Sequence, residues 1–176
     1  DLAISQLNSA VDVLNRRDTN AAARVVANDD AIDQLETEIT NDVLKLLALR
    51  QPMARDLREV YAALKISSDI ERIGDYASNV AKRSMVLNNS APLPATARIA
   101  RLAKTANQIL TDALRAYKAT DAVLALQVRD ADAELDSQYT SFFRELLTYM
   151  MEDPRTIGPC THLLFMAKNI ERIGDH

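Results

Sequence analysis

The amino-acid sequence predicts an all-α protein made of two pseudo-symmetric, antiparallel three-helix bundles. Ala, Leu, Arg and Glu are abundant, whereas Trp is absent and only three Gly occur in 176 residues, a composition that favours helix. Five Pro interrupt the chain, so we expect few and long helices. The five-residue word ERIGD occurs at 71–75 and again at 171–175. Its recurrence indicates that one helical unit is present twice.

The first three-helix unit is predicted over residues 1–90. Its opening segment already has the apolar periodicity of a helix. Asp18 is suited to cap a second helix over about 20–50, because its carboxylate can accept hydrogen bonds from the first turn. Pro52 then separates this helix from a third over about 53–87, since proline disfavours helical geometry in the residue before it and suits a first helical turn.

The second three-helix unit is predicted over residues 91–176. Pro92 and Pro94 mark the linker that precedes it, and Pro154 marks the turn before its last helix. Its three helices are predicted over about 95–118, over about 121–151 with Asp121 as the cap, and from near Cys160 onward, because Pro159 complicates an earlier start. We expect this last helix, and both ends of the chain, to be truncated: three more helical turns follow the first ERIGD, and one residue follows the second.

The two units align residue by residue. At an offset of 103 the alignment pairs Leu7 with Leu110, Ala10 with Ala113, Asp18 with Asp121, Ala22 with Ala125 and Val25 with Val128. The offset becomes 102 at Pro52 and Pro154, and 100 at the two ERIGD words. A chance similarity of Ala-rich helices explains scattered matches but not a repeated pentapeptide.

Composition limits the function classes. The formal net charge is -4, from 25 acidic and 21 basic residues, which argues against a nucleic-acid partner. No apolar run approaches the roughly 18 residues of a membrane span, and no signal segment opens the chain, so a cytoplasmic location is expected. Cys160 is the single cysteine, which excludes an internal disulfide and a paired-cysteine zinc site and favours a core position.

Carboxylates spaced by four residues recur at equivalent places in the two units. Such spacing puts both members of a pair on one helix face. The pairs are Asp29 with Asp33, Glu71 with Asp75, Asp132 with Asp136, and Glu171 with Asp175. In an antiparallel hairpin that turns at Pro52, the first two pairs lie at one height, roughly 28 Å from the turn at about 1.5 Å per residue. The other two pairs are mirrored in the same way about the Asp153-Pro154 turn.

Four carboxylates at one height repel one another unless they are protonated or bridged by cations. Oxygen ligands suit hard cations such as Mg²⁺, Mn²⁺, Ca²⁺ or iron. The alternative is that Arg72, Arg172 and nearby lysines neutralise the acids in surface ion pairs. A helix-interior glycine costs about 1 kcal/mol relative to alanine, so Gly74 and Gly174 are expected to permit close helix packing or to leave room for a ligand.

These residues resemble the PhoU family of phosphate-signalling regulators. The resemblance is carried by RQPMARDLREVYAALKISSDIERIGDYASNVAKR in the first unit and NIERIGDH at the end of the second. It implies two adjacent three-helix bundles, each with a surface metal site, reported in the family as iron or zinc clusters and in some members as manganese or magnesium. The acid-x-x-x-Asp ligands of the family would fall on Asp29, Asp33, Glu71, Asp75, Asp132, Asp136, Glu171 and Asp175.

The resemblance also implies a function. Family members are thought to control phosphate uptake negatively by linking the ATPase of a phosphate ABC transporter to a sensor histidine kinase. Membrane association would then be peripheral and only through these partners, and a homodimer is a further option. The protein is not expected to be an enzyme, because the chain lacks a Gly-rich phosphate loop and its two histidines, His162 and His176, form no plausible catalytic triad.

Alternatives remain open at this point. A di-metal carboxylate enzyme on a helical bundle normally uses Glu-x-x-His pairs, which this sequence lacks. A metal-free helical scaffold, or a similar regulatory domain excised from a larger phosphate transporter, also fits the pattern. The sequence departs from its own repeat where Asp69 is replaced by Asn169, so the second site is expected to be less acidic and to hold metal less tightly.

Overall fold

The computed structural model describes residues 2–176, which form seven α-helices and contain no strand. The α-helices are α1 (Leu2–Arg16), α2 (Thr19–Ala27), α3 (Asp30–Arg50), α4 (Ala54–Leu87), α5 (Ala97–Ala119), α6 (Ala122–Glu152) and α7 (Ile157–Asp175). Single 3₁₀ turns at Pro94–Thr96 and Pro154–Thr156 precede α5 and α7. The all-α prediction is confirmed. None of the helices in the described range is long and apolar enough to cross a membrane.

The helices pack as two groups of three. In the first group α1 and the α2–α3 segment pack on α4, and in the second α5, α6 and α7 pack on one another. Contacts of α4 with α7 and of α1 with α5 join the groups. The buried apolar side chains form one continuous cluster across both groups. The repeat boundary between residues 90 and 91 stays a prediction.

The predicted helix over 20–50 is wrong in one respect, because a turn at Asn28 and Asp29 divides it into α2 and α3. The Asp29 amide bonds to the carbonyl of Val26, three residues back. The equivalent stretch of α6 is continuous through Asp132. Asn28 and Asp30 flank Asp29, whereas Ala131 and Ala133 flank Asp132 in α6. Asn and Asp compete for backbone hydrogen bonds where Ala does not.

Both predicted caps are confirmed. Asp18 accepts a hydrogen bond from the Ala21 amide at 2.8 Å, and Asp121 accepts from the amides of Val123 and Leu124 at 3.0 Å. The start of the last helix differs from the prediction, since α7 begins at Ile157. Proline is tolerated in the first turn of a helix because the amides there lack an intrahelical partner, so Pro159 does not delay the helix.

Candidate functional site

The first carboxylate cluster lies where α3 and α4 cross beside α1. Asp29 comes immediately before α3 and is only 7% exposed. The Gln6 amide of α1 donates a hydrogen bond to Asp29 Oδ1 at 2.7 Å and reaches the Gly74 carbonyl of α4 at 3.4 Å. The buried aspartate is therefore held by a polar contact from a third helix, which a buried carboxylate needs to stay charged.

Gly74 allows this close approach of α3 to α4. A Cβ atom added to Gly74 would stand 3.0 Å from Asp29 Oδ1 and 2.9 Å from Ile32 Cδ1. Both distances are shorter than ordinary van der Waals contact. The glycine of the first ERIGD word thus makes room for an aspartate of the neighbouring helix, which accounts for a residue that disfavours helix at this point.

Gly174 has the same role in the second unit. A Cβ atom added there would overlap the carboxylate of Asp132 and stand 2.9 Å from Leu135 Cδ2. Asp132 and Leu135 occupy the positions that correspond to Asp29 and Ile32. The repeated glycine therefore serves the same close approach of an aspartate in both units.

The carboxylates of the first cluster influence one another's protonation. The pKa of Asp29 is raised, first by burial and then by the charges of Asp75 and Asp33, while the Gln6 amide and the Ser78 hydroxyl oppose the shift. The pKa of Glu71 is raised by burial and next by Asp75, Asp33 and Glu36. The four acids predicted for this site thus lie close enough together for mutual repulsion, as their mirrored positions require.

The second cluster contains the same types of acid as the first, but a lysine pairs with one of them. The pKa of Asp132 is raised by burial and then by the charges of Asp136, Asp175 and Glu171. Asp132 Oδ1 is buried without a hydrogen-bond partner among the described residues. Glu171, 7% exposed, forms an ion pair with Lys168, whose Nζ lies 2.6 Å from Oε1. This pair raises the pKa of Lys168.

The eight predicted acids differ in exposure. Asp29 and Glu171 are buried, Glu71 and Asp132 are half-buried, and the remaining four, Asp33, Asp75, Asp136 and Asp175, are exposed. As the side chains stand, no three His, Cys, Asp or Glu residues within 2–176 are arranged to hold a metal ion. The metal ligands therefore stay a prediction.

Comparison with known proteins identifies the family. The family model described as PhoU domain matches residues 1–84 and 99–176. This chain belongs to the PhoU family. It is 59% identical over 176 residues to a protein of Xylella fastidiosa (strain 9a5c) named phosphate-specific transport system accessory protein PhoU homolog, covering 100% of this chain and 74% of that relative. A protein of the same name from Caulobacter vibrioides is 50% identical over 99% of this chain and 76% of its own length.

Solved PhoU structures have the same fold. The crystal structure of PhoU from Pseudomonas aeruginosa superposes with a TM-score of 0.94 at 39% identity, covering 99% of this chain and 84% of that one. The phosphate transport system regulatory protein PhoU from Streptococcus pneumoniae gives a TM-score of 0.89 at 27% identity, covering 99% and 82%. The helical architecture of this PhoU-family chain is thus found in experimental structures.

The expected difference in acidity between the two clusters of this PhoU-family protein rested on Asp69 and its counterpart Asn169. Asp69 approaches His176, the residue that follows α7, with 3.7 Å between Oδ1 and Nδ1. The His176 ring also stacks on Tyr76 and lies 3.2 Å from its hydroxyl. Asp69 thus belongs to the α4–α7 contact, and its replacement by Asn169 is a poor measure of the acidity of the second cluster.

Sequence analysis missed four residues that border the two clusters. Glu36 and Ser68 stand at mirrored positions about Pro52, and Tyr139 and Lys168 do so about the second turn. The mirrored positions about the turns, which predicted the eight acids, also predict these two further pairs. Gln6 could not have been found in this way, because it lies on α1, whose register the hairpin does not determine.

Proposed function

We propose that this protein is an accessory regulator of phosphate uptake that restrains transport and phosphate-starvation signalling when phosphate is plentiful. The observation that carries the proposal is its identity of 59% and 50%, over essentially the whole chain, to proteins named as accessory to a phosphate-specific transport system. In this role it would bind the cytoplasmic ATPase of a phosphate ABC transporter and a sensor histidine kinase. It would act by binding these partners, without turnover of phosphate esters or nucleotides.

We further propose that each carboxylate cluster holds one or more metal ions, with iron, zinc, manganese and magnesium as the candidates. All the ligands would be carboxylate oxygens, which hard cations prefer. The close approach of Asp29 and Asp132 to the neighbouring helix, which Gly74 and Gly174 permit, and the buried, unpartnered oxygen of Asp132 are consistent with a cation bound beside these aspartates. The exposed acids of each cluster have the rotational freedom needed to complete the ligand set.

A metal ion would supply positive charge that relieves the repulsion among the acids. The chain's own contribution is to hold one buried aspartate against a glycine and to bring the remaining acids to the same level of a hairpin. Metal binding to the folded state alone would raise the free energy of unfolding by RT ln(1 + [L]/Kd) for each site, where [L] is the free metal concentration.

Deletion of the gene tests the regulatory role. Loss of the protein should derepress phosphate-starvation genes in phosphate-rich medium, as read by a reporter fusion, and a plasmid copy should restore repression. Co-purification of the tagged protein with the transporter ATPase or the kinase should be observed from the same cells. Unchanged reporter expression on deletion would contradict the proposal.

A further inference from the structure

The two clusters are not equivalent, because the residue pairs next to the predicted ligands, on the side of each hairpin turn, differ in charge. In the first cluster this pair is Glu36 and Ser68, and in the second it is Tyr139 and Lys168. With the predicted ligands included, the first set of six positions holds five carboxylates and no cation. The corresponding second set holds four carboxylates and one ammonium group. The first cluster is therefore more negative by two charges.

The Lys168 ammonium is directed at the cluster by contacts on two sides. Its Nζ lies 2.6 Å from Glu171 Oε1 and 5.3 Å from the centre of the Tyr139 ring. The Glu171 side chain is 9% exposed and that of Lys168 is 38% exposed, so the pair is sheltered on the carboxylate side and open to solvent on the other. An aromatic face and a buried carboxylate are both favourable partners for an ammonium ion.

We propose that Lys168 is a built-in cation of the second cluster, which a metal ion must displace from Glu171, so that metal binds there more weakly than at the first cluster. This inference rests on the proposed metal binding and adds the residue that distinguishes the two sites. In the first cluster no lysine competes for Glu71, because Ser68 stands at the equivalent position. The protein would thus have a first site filled at low metal concentration and a second site filled only at higher concentration.

The second cluster can be tested in isolation. In a background carrying Glu71→Gln and Asp75→Asn, which disables the first cluster, Mn²⁺ binding is measured by calorimetric titration with and without Lys168→Ser. The substitution should increase the affinity of the remaining site for Mn²⁺ by at least about tenfold, because it removes a positive charge that lies in contact with a ligand. This figure allows for the screening of the partly exposed ammonium by solvent. Lys168→Gln, which keeps a hydrogen-bond donor for Glu171, provides the same test if the serine variant folds poorly. Lys104→Ser, an exposed lysine of α5, is the control and should leave the affinity unchanged.

The reciprocal change tests the first cluster. Ser68→Lys in the otherwise native protein places an ammonium three residues before Glu71, the spacing that Lys168 has to Glu171, and should weaken the tighter site by a similar factor.

Without metal, Lys168→Ser should lower the melting temperature because it leaves a buried carboxylate unpaired. With saturating Mn²⁺ the same variant should show a larger rise in melting temperature than the native protein. If Lys168 only stabilises the fold, the variant should melt at a lower temperature without metal but should show the same rise with Mn²⁺ as the native protein.

The outcomes separate this inference from the proposed function. If Mn²⁺ binds and its affinity at the second cluster is the same with lysine, serine and glutamine at position 168, the role of Lys168 is wrong and metal binding stands. If neither cluster of the native protein binds Mn²⁺, iron or zinc, the proposed metal binding fails, and the inference fails with it.

Discussion

At the scale of single residues, two glycines explain how an acid comes to lie between packed helices. Gly174→Ala should destabilise the protein by about 1–3 kcal/mol, because the new methyl group would overlap the Asp132 carboxylate and press on Leu135. Gly158→Ala in the first turn of α7 is the matched control, since nothing lies within 4 Å of its added Cβ. It should be neutral or stabilising by up to about 1 kcal/mol. Urea denaturation of both variants measures the difference, and equal stabilities would contradict the packing role.

Asp29 gives a prediction for pH dependence. Its pKa is raised in the folded state, chiefly by burial, so the folded protein binds a proton more readily than the unfolded chain. Its contribution to stability is therefore fully present below the unfolded pKa and is lost as the pH rises above about 4 through the folded pKa. In metal-free protein, Asp29→Asn should reduce this loss.

The control for that experiment is the neighbouring acid. Asp30→Asn, which removes the same charge from an exposed position next to Asp29, is the control variant. Urea denaturation at several pH values, in buffer treated to remove metals, gives the profiles. A profile of Asp29→Asn that matches that of the control would show that Asp29 titrates in the folded protein as it does in the unfolded chain.

At the scale of helices, α1 is tied to the end of α4 by one side chain. Arg17 follows α1 and donates hydrogen bonds to the carbonyls of Leu87, Asn88 and Ser90. These contacts give the carbonyls at the C-terminal end of α4 a charged donor and link the end of α1 to the end of α4. Since Gln6 reaches Asp29 from the same helix, this link also matters for the first cluster.

Removal of the Arg17 contacts should be destabilising. Arg17→Ala is expected to lower the free energy of unfolding by about 1–3 kcal/mol, because carbonyls at the end of α4 lose a charged donor. Arg16→Ala is the matched control: Arg16 forms an ion pair with Asp12 in which the side chains are 73% and 52% exposed. Such exposed pairs contribute about 0–1 kcal/mol. Comparable losses in the two variants would contradict the proposed link between α1 and α4.

At the scale of the whole molecule, sequence patterns predicted the architecture well because the relevant signals are local. Helix composition, the Asp18 and Asp121 caps and the turn at Pro52 all depend on neighbouring residues. The helix predicted over about 20–50 rested on the Asp18 cap and the Pro52 boundary and took no account of three poor helix formers in a row, Asn28, Asp29 and Asp30. In each unit the charges of the mirrored acids interact, whereas their convergence on a shared cation stays a prediction.

The chemical environment of the clusters was harder to predict. The hydrogen bond from Gln6 depends on the packing of a third helix, and the direction of Asp69 depends on contacts between the two bundles. Neither follows from the spacing of acids along a hairpin. The pairing of Lys168 with Glu171 was accessible from the sequence, since the two residues are three apart on one helix.

The central claim is that the carboxylate clusters bind metal ions, and equilibrium dialysis against Mn²⁺ with elemental analysis tests it most directly. At saturating Mn²⁺ the native protein should retain at least one ion per cluster and should melt at a higher temperature than it does without Mn²⁺. The variant Glu71→Gln with Asp75→Asn should keep its helix content by circular dichroism and lose the metal of the first cluster together with its share of the stabilisation. A native protein that retains no Mn²⁺, iron or zinc, and whose melting temperature matches that of the variant in every buffer, would contradict the claim.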